Sequence, residues 1–425
     1  MTEIKPFRAI VYNQEVIKEL SKVVCPPYDV ISQAKQNYYH GLSPYNFIHI
    51  LFGKDVPDED KYRRAAELFQ KWQKEKILVQ EEKPCVYFYS QQYRIRGEKK
   101  TRFGLIAAMS LDEKRSSVYG HEHTRVEPKT DRLHLLRKVK ANLSPIFVLF
   151  SDKKRVIQKC CDYVQDKEPF IEVGDDEKTV HRVWRIESDS LLEKIRQAMR
   201  TEDFFIADGH HRYEVARAYR EEMLKKHEPQ NQEGEFNYLL SYFTNVESHG
   251  LSILPIHRLI TLSQKIEPQE MLQGLREYFH LEEIKDKARF FFLLQKAGNT
   301  EHVVGMYLAH TFHLLRLKNI KILDRLMLEK PVEYRRLDVS ILNNIIFNQI
   351  LSFSPEEKEK ITYGIDPDEF IQTADEGKRN VAFFLNPVKV QQIIAVALKG
   401  EKMPPKSTYF YPKVLSGLLV HTLEE

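Results

Sequence analysis

The sequence predicts an α+β protein of mixed sheets and helices. Three observations carry this. Val86 to Ile95 and Thr101 to Leu111 read as two strands, joined as a hairpin by Arg96-Gly97-Glu98-Lys99-Lys100. Ile146 to Phe150 and Tyr238 to Asn245 are short apolar runs of strand length. Helical spacing of apolar residues recurs around them, first from Lys61 to Lys76, where Ala65, Ala66, Leu68, Phe69 and Trp72 mark an amphipathic face.

The elements follow in chain order. Residues 1 to 60 are rich in turns. In Cys25-Pro26-Pro27-Tyr28-Asp29-Val30 two prolines restrict the backbone and hold Tyr28 and Asp29 rigidly. Pro44-Tyr45-Asn46-Phe47 is a second such turn. After the helix and hairpin, Thr130 to Lys140 and Asp189 to Arg200 read as helices. The texture changes near residue 260. Residues 266 to 300 are helical and charged, Val303 to Ala309 and Phe312 to Leu317 suggest a hairpin, and Leu337 to Leu351 reads as a helix. Two regions are expected, 1–258 and an α+β region 259–425, with no internal repeat and no low-complexity linker.

Composition narrows the function classes. The chain has 425 residues, enough for two or three domains. Sixty-five Lys and Arg stand against 61 Asp and Glu, a net charge of +4. That balance, without a basic run, argues against nucleic acid as a partner. No apolar stretch approaches the roughly 20 residues that span a bilayer, so no membrane segment is expected. Met1-Thr2-Glu3-Ile4-Lys5-Pro6-Phe7-Arg8 has no apolar signal core. The cysteines, Cys25, Cys85, Cys160 and Cys161, match no zinc spacing, and the adjacent pair is poorly placed for a mutual disulfide. A reducing cytoplasm is the expected compartment.

The chemistry concentrates at Phe204 to Glu214. An apolar strand, Phe204-Phe205-Ile206-Ala207, runs into Asp208-Gly209-His210-His211-Arg212. A helix follows, marked by Val215, Ala216, Tyr219, Met223 and Leu224. Asp208 is a candidate N-cap, and Gly209 permits a sharp turn. Two imidazoles, a guanidinium and helix N–H groups then surround one helix N-terminus, an arrangement suited to phosphate. Asp208 would repel a bare phosphate, so it is read as a magnesium ligand or a base.

Three further clusters are candidates. His121-Glu122-His123-Thr124-Arg125 offers Glu122 as a general base or magnesium ligand, with Arg125 near enough to join an anion site. Its HxH pair is only a weak transition-metal signal. His257-Arg258 combines a candidate structural imidazole with a candidate anion contact. In Pro404-Pro405-Lys406-Ser407-Thr408, Lys406, Ser407 and Thr408 offer a cation and two hydroxyls for phosphate or substrate; the alternative is a rigid proline turn. The glycines of a P-loop are absent. No serine-hydrolase elbow, HExxH helix, Rossmann fingerprint or protein-kinase motif set is visible.

Taken together, these motifs resemble the bacterial and archaeal family known as domain of unknown function 1015. The carrying residues are Pro6-Phe7-Arg8, Pro26 to Val30, Pro44-Tyr45, His121-Glu122 with Thr124, and Asp131-Arg132-Leu133. Asn142, Ser144-Pro145-Ile146-Phe147, Asp208 to Tyr213, Leu254-Pro255 with His257-Arg258, and Pro404 to Lys413 complete them. The DGHHR element also resembles the phosphate-binding turn of the ParB/sulfiredoxin-like group, which includes free serine kinases. That resemblance implies a ParB/sulfiredoxin-like core with additional α/β regions. It implies that Asp208, Gly209, His210, His211 and Arg212 hold a phosphoryl donor and Mg2+, and that Glu122 takes the acceptor's proton. The implied activity is phosphorylation of a small hydroxyl compound, free L-serine foremost, with pyrophosphate or a nucleotide as donor. A magnesium-dependent phosphohydrolase and a non-catalytic nucleotide-binding regulator are the alternatives.

Overall fold

The structure, a computed structural model, describes residues 2–112, 117–124, 126–226, 233–264, 266–377 and 379–424. The chain is mixed α+β and divides into two compact units. The first comprises Met1–Gly120, Thr124–Ser252 and Pro412–Glu425; the second comprises His121–His123 and Ile253–Tyr411. The sequence suggests regions 1–258 and 259–425; as compact units, the chain leaves the first after Ser252 and returns to it at Pro412. A linear reading does not show that return, because it depends on pairing between distant segments.

Nine strands form the main sheet of the first unit among the described residues. They are β1 (Ile4–Lys5), β2 (Val86–Ile95), β3 (Glu98–Ser110), β4 (Val118–Gly120), β5 (Ile146–Phe150), β6 (Ile171–Gly174), β7 (Val180–Ile186), β8 (Phe204–Asp208) and β9 (Tyr238–Asn245). Their order is β4-β8-β5-β9-β3-β2-β7-β6, with β1 beside β3. Pairing is antiparallel except for β8 with β4 and β9 with β5. The β2–β3 turn is tighter than expected. Arg96 and Gly97 both have positive φ, 49° and 82°, as two-residue hairpins require, so Glu98 already belongs to β3.

The two faces of this sheet differ. Phe88, Leu105, Ala107, Val148, Phe150, Phe204, Ile206 and Phe243 form one continuous apolar face. Helices α1 (Val156–Val164) and α2 (Asp189–Met199) cover it through Val156, Cys160, Ile195 and Met199. The opposite face carries Tyr89, Gln91, Arg102, Phe147, Tyr242 and His181, all buried but partly polar. Gly104 lies among them because a Cβ there would sit 2.3 Å from the Tyr242 ring and from the Phe243 carbonyl oxygen. On this face the Tyr89 hydroxyl meets His181 Nδ1 at 2.6 Å, and His181 Nε2 meets Asp175 Oδ2 at 3.0 Å.

Helix α3 (Val126–Val139) starts a turn earlier than Thr130. Pro128 falls in its first turn, where a missing N–H breaks no intrahelical bond. It packs against α4 (His210–Lys226) through Leu136, Val215 and Tyr219.

The second unit is built on a six-stranded antiparallel sheet. Its strands are β10 (His257–Thr261), β11 (Phe279–Ile284), β12 (Val303–Leu308), β13 (Thr311–Leu317), β14 (Thr362–Gly364) and β15 (Asn380–Phe384), in the order β11-β13-β12-β15-β10-β14. Phe290, Leu294 and Phe370 from two helices pack on Tyr307, Phe312, Leu314 and Phe384. The predicted hairpin at 303–317 is present, whereas the charged stretch 266–300 contains β11 between two helices. The helix predicted from Leu337 to Leu351 is α-helical only over Asp338–Ile341. It widens into a π-helix over Leu342–Ile350, where the Leu351 N–H reaches back five residues to the Ile346 carbonyl. Among the described residues no helix is long and apolar enough to cross a membrane.

Candidate functional site

The DGHHR segment forms a strand-to-helix turn. β8 ends at Asp208, Gly209 turns the chain with φ of 90°, and α4 begins at His210. An added Cβ at Gly209 would stand 2.9 Å from Ile146 Cγ2 and 3.0 Å from the Arg212 guanidinium carbon. Both the backbone angle and the space therefore favour glycine. Gly209 thus holds the position before the first helical residue that the sequence reading gave to Asp208.

A β-bulge frees Asp208 for another role. Ile206 pairs with Val148, but Asp208 pairs with Phe147, so one residue is extra between them. Without it Asp208 would share the apolar face with Phe204 and Ile206. With it, Asp208 stands on the polar face beside Phe147.

There the carboxylate meets two cations. Asp208 Oδ1 pairs with Lys413 Nζ. Asp208 Oδ2 accepts from Arg212 Nη2 at 2.6 Å. Arg212 also donates through Nη1 to the Pro145 carbonyl oxygen and stands 3.7 Å from Asp29 Oδ2. The three side chains Asp208, Arg212 and Lys413 are only 16%, 11% and 12% exposed. Burial alone would raise the Asp208 pKa, but Lys413 and Arg212 outweigh it and hold the carboxyl well below its usual range. Burial likewise opposes the Arg212 charge, and Asp29 and Asp208 reverse that, raising its pKa.

Lys413 owes its position to the polar face. Arg102, fully buried, donates to the Pro412 carbonyl oxygen. Gln91 Nε2 donates to the Lys413 carbonyl oxygen at 2.8 Å, and Gln91 Oε1 accepts from Arg102 Nε at 3.0 Å. The Arg102 guanidinium stacks 4.5 Å from the Phe147 ring centre. Thus the residue opposite Asp208 in register also supports the arginine that anchors Lys413.

Arg212 further lines a cavity of about 60 Å³ with Tyr28, Arg132, Ser144, Val215 and Leu239. The Arg132 guanidinium lies 4.4 Å from the Tyr28 ring centre and donates to Asp131 and to the Leu51 carbonyl oxygen. Burial pushes the Tyr28 phenol well above its usual range. His210 is buried, whereas His211 is partly exposed. One turn further along α4, Glu214 accepts from the Thr124 hydroxyl at 2.5 Å and pairs with Lys129 at 3.0 Å.

The second unit holds Glu122, His257, Arg258, Lys406, Ser407 and Thr408. His121 Nε2 lies 3.3 Å from the Thr408 hydroxyl, and the His121 carbonyl accepts from the Met403 N–H at 2.7 Å. The Ser407 hydroxyl donates to the Pro404 carbonyl, closing the proline turn internally. Arg258 is 1% exposed and donates to the carbonyls of Ile256 and Lys406. Burial lowers its pKa to about 10. Its guanidinium therefore has a structural task, tethering the Lys406 turn. His257 is buried, packs against Phe384 and lies 3.4 Å from the Leu385 N–H through Nδ1. Lys406 is exposed, with φ of 55°. Arg125, expected at the anion site, lies outside the described residues.

Magnesium, expected on Asp208, does not fit this arrangement. Both carboxylate oxygens already hold a cationic side chain. Among the described residues no group of three or more His, Cys, Asp or Glu is suited to a metal ion.

Lys413 and Asp29 join the site without being among its expected members, although both stand in the proline-containing motifs of the sequence. Being a lone cation after a proline, or an acid in a turn, gave neither a partner.

The model of a family described as "Protein of unknown function (DUF1015)" matches residues 4–340. No curated protein matches the sequence. Among solved structures, a free serine kinase variant in complex with ADP is 10% identical, with 70% of this chain and 88% of that chain covered at a TM-score of 0.34. SbnI with a C-terminal truncation, from Staphylococcus aureus, is 11% identical, with 74% and 86% covered at 0.38. A conserved hypothetical protein from Pyrococcus furiosus is 12% identical, with 70% and 89% covered at 0.32.

Proposed function

We propose that this chain, which belongs to the family described as "Protein of unknown function (DUF1015)", is a phosphotransferase that phosphorylates the hydroxyl of a small acceptor, free L-serine foremost. The observation that carries the reading is the turn from Asp208 to Arg212. It opens α4 beside a glycine that permits close approach, with Arg212 and Lys413 held at one buried carboxylate. A helix N-terminus bordered by an ammonium and a guanidinium suits a phosphoryl group.

In the proposed reaction the acceptor hydroxyl oxygen forms a new bond to phosphorus. The bridging P–O bond of the donor breaks, and its electron pair leaves with the departing phosphate. The hydroxyl proton passes to Glu122. Charge neutralisation and in-line positioning supply most of the rate in such transfers. In this proposal His210, His211, Arg212 and Lys413 neutralise, and the α4 N–H groups orient. Lys406, Thr408 and His257, together with Arg125, are retained as candidate phosphate or substrate contacts of secondary weight, whereas Arg258 and Ser407 are engaged by the carbonyls of their own surroundings.

Glu122 enters this reading as the upstream acid that the resemblance implies; Gly120, two residues before it, ends β4 in parallel register with Ile206 of β8. The chain re-enters the first unit at Thr124, whose hydroxyl is held by Glu214 of α4.

Phosphorus NMR tests the reading. The protein is incubated with serine and with pyrophosphate, ATP or ADP, with and without magnesium. A new phosphomonoester signal with one donor is the expected result. Orthophosphate from water alone would replace the proposal with hydrolysis. Ligand binding without turnover would replace it with a regulatory role.

A further inference from the structure

Lys413 enters the Asp208 site from the far end of the chain, 205 positions away. Its backbone is held on both sides, by Arg102 at the Pro412 carbonyl and by Gln91 at its own. Arg102 and Gln91 are themselves fully buried. Its side chain is 12% exposed, so the ammonium has little freedom to swing into water. A divalent ion seeking Asp208 would have to displace this ammonium and then share a low-dielectric neighbourhood with it and with Arg212. Like charges in such surroundings repel strongly.

We propose that Lys413 is the resident cation of the Asp208 site, standing on the carboxylate oxygen that a divalent ion would otherwise take, so that an anion bound there meets Lys413 and Arg212 rather than an Asp208-bound metal. The anion-binding half rests on the phosphoryl-transfer reading; the metal half does not. Lys413 thereby deepens that reading: the site takes phosphoryl oxygens by ammonium and guanidinium contacts, and any magnesium needed for turnover arrives on the donor.

The test uses the full chain and two probes. Manganese alone is titrated and followed by electron paramagnetic resonance in the unmodified protein, Asp208→Asn, Lys413→Met and the double variant. Thermal unfolding checks the fold of each. The unmodified protein and Asp208→Asn should bind manganese alike. Lys413→Met should gain a site that the double variant lacks. A site present in the unmodified protein and lost in Asp208→Asn overturns the proposal, as does Lys413→Met gaining none. Should Lys413→Met fail to fold, the comparison of the unmodified protein with Asp208→Asn decides alone. Pyrophosphate binding, measured calorimetrically with EDTA present, should fall about 10- to 100-fold in Lys413→Met, the loss of one charged hydrogen-bond partner. An undiminished affinity there overturns the anion half. Absence of pyrophosphate binding in the unmodified protein counts against the phosphoryl reading itself, while the manganese comparison still decides what occupies Asp208.

Discussion

The ammonium of Lys413 meets the carboxylate of Asp208 across 205 positions of sequence. Two local devices make this possible. A bulge at the end of β8 turns Asp208 onto the polar sheet face. Arg102 and Gln91, paired in register on neighbouring strands, then grip the returning chain at Pro412 and Lys413.

That grip is open to mutation. Gln91→Leu removes an acceptor from the fully buried Arg102 and a donor from the Lys413 carbonyl. Leaving buried polar groups unsatisfied should destabilise the protein by about 2–4 kcal/mol. Urea unfolding gives the value. A change below about 0.5 kcal/mol would mean that water or a rearranged chain replaces the contact.

Gly209→Ala should be costly for its size. The residue is at φ of 90°, and the new methyl would press on Ile146 and Arg212. Strain of this kind costs about 1–3 kcal/mol. Thermal unfolding should show the loss, and pyrophosphate calorimetry should show weakened binding because Arg212 is displaced. Unchanged stability and binding together would contradict the tight turn.

Glu122→Gln separates chemistry from binding. Glutamine keeps the shape but does not accept the hydroxyl proton as a carboxylate does. Turnover should fall about 10²- to 10⁴-fold, the usual contribution of a general base. Donor affinity should be little altered. Full turnover, measured where the chemical step limits the rate, assigns the base to another group.

Acid sensitivity should trace in part to Glu235. Burial tends to raise its pKa, but hydrogen bonds from His421 and Lys5, each at 2.8 Å, lower it to about 2. A carboxyl depressed in the folded state stabilises fully above its unfolded value and loses that contribution as pH falls toward the folded value. The window therefore runs from about pH 4.5 down to about pH 2. Glu235→Gln should lower stability at pH 7 by roughly 1–3 kcal/mol and flatten the decline between pH 4.5 and 3. An equally steep decline in the variant assigns it to other carboxyls.

Local pattern carried much of the architecture. The bounds of β5 and β9 are those the apolar runs predict, and the 303–317 hairpin is present. The strand, glycine turn and helix around Asp208 were legible for the same reason: strand length, positive φ and helical period are properties of neighbouring residues. Features set by small local energies were less legible. The tight Arg96-Gly97 turn, the early start of α3 and the π-helix over Leu342–Ile350 each shift bounds without changing the apolar pattern much.

By itself the sequence determined the α+β class, the family resemblance and the dense Asp208–Arg212 turn. Only the tertiary structure decided who faces whom. It gave Asp208 to Lys413 and Arg212, buried Arg258 against the Lys406 carbonyl, and returned Pro412–Glu425 to the first unit. Periodicity reports which side of an element is apolar, and residues a few positions apart set it. Ion pairs and buried hydrogen bonds join residues hundreds of positions apart, and they are chosen by which partners desolvation leaves within reach.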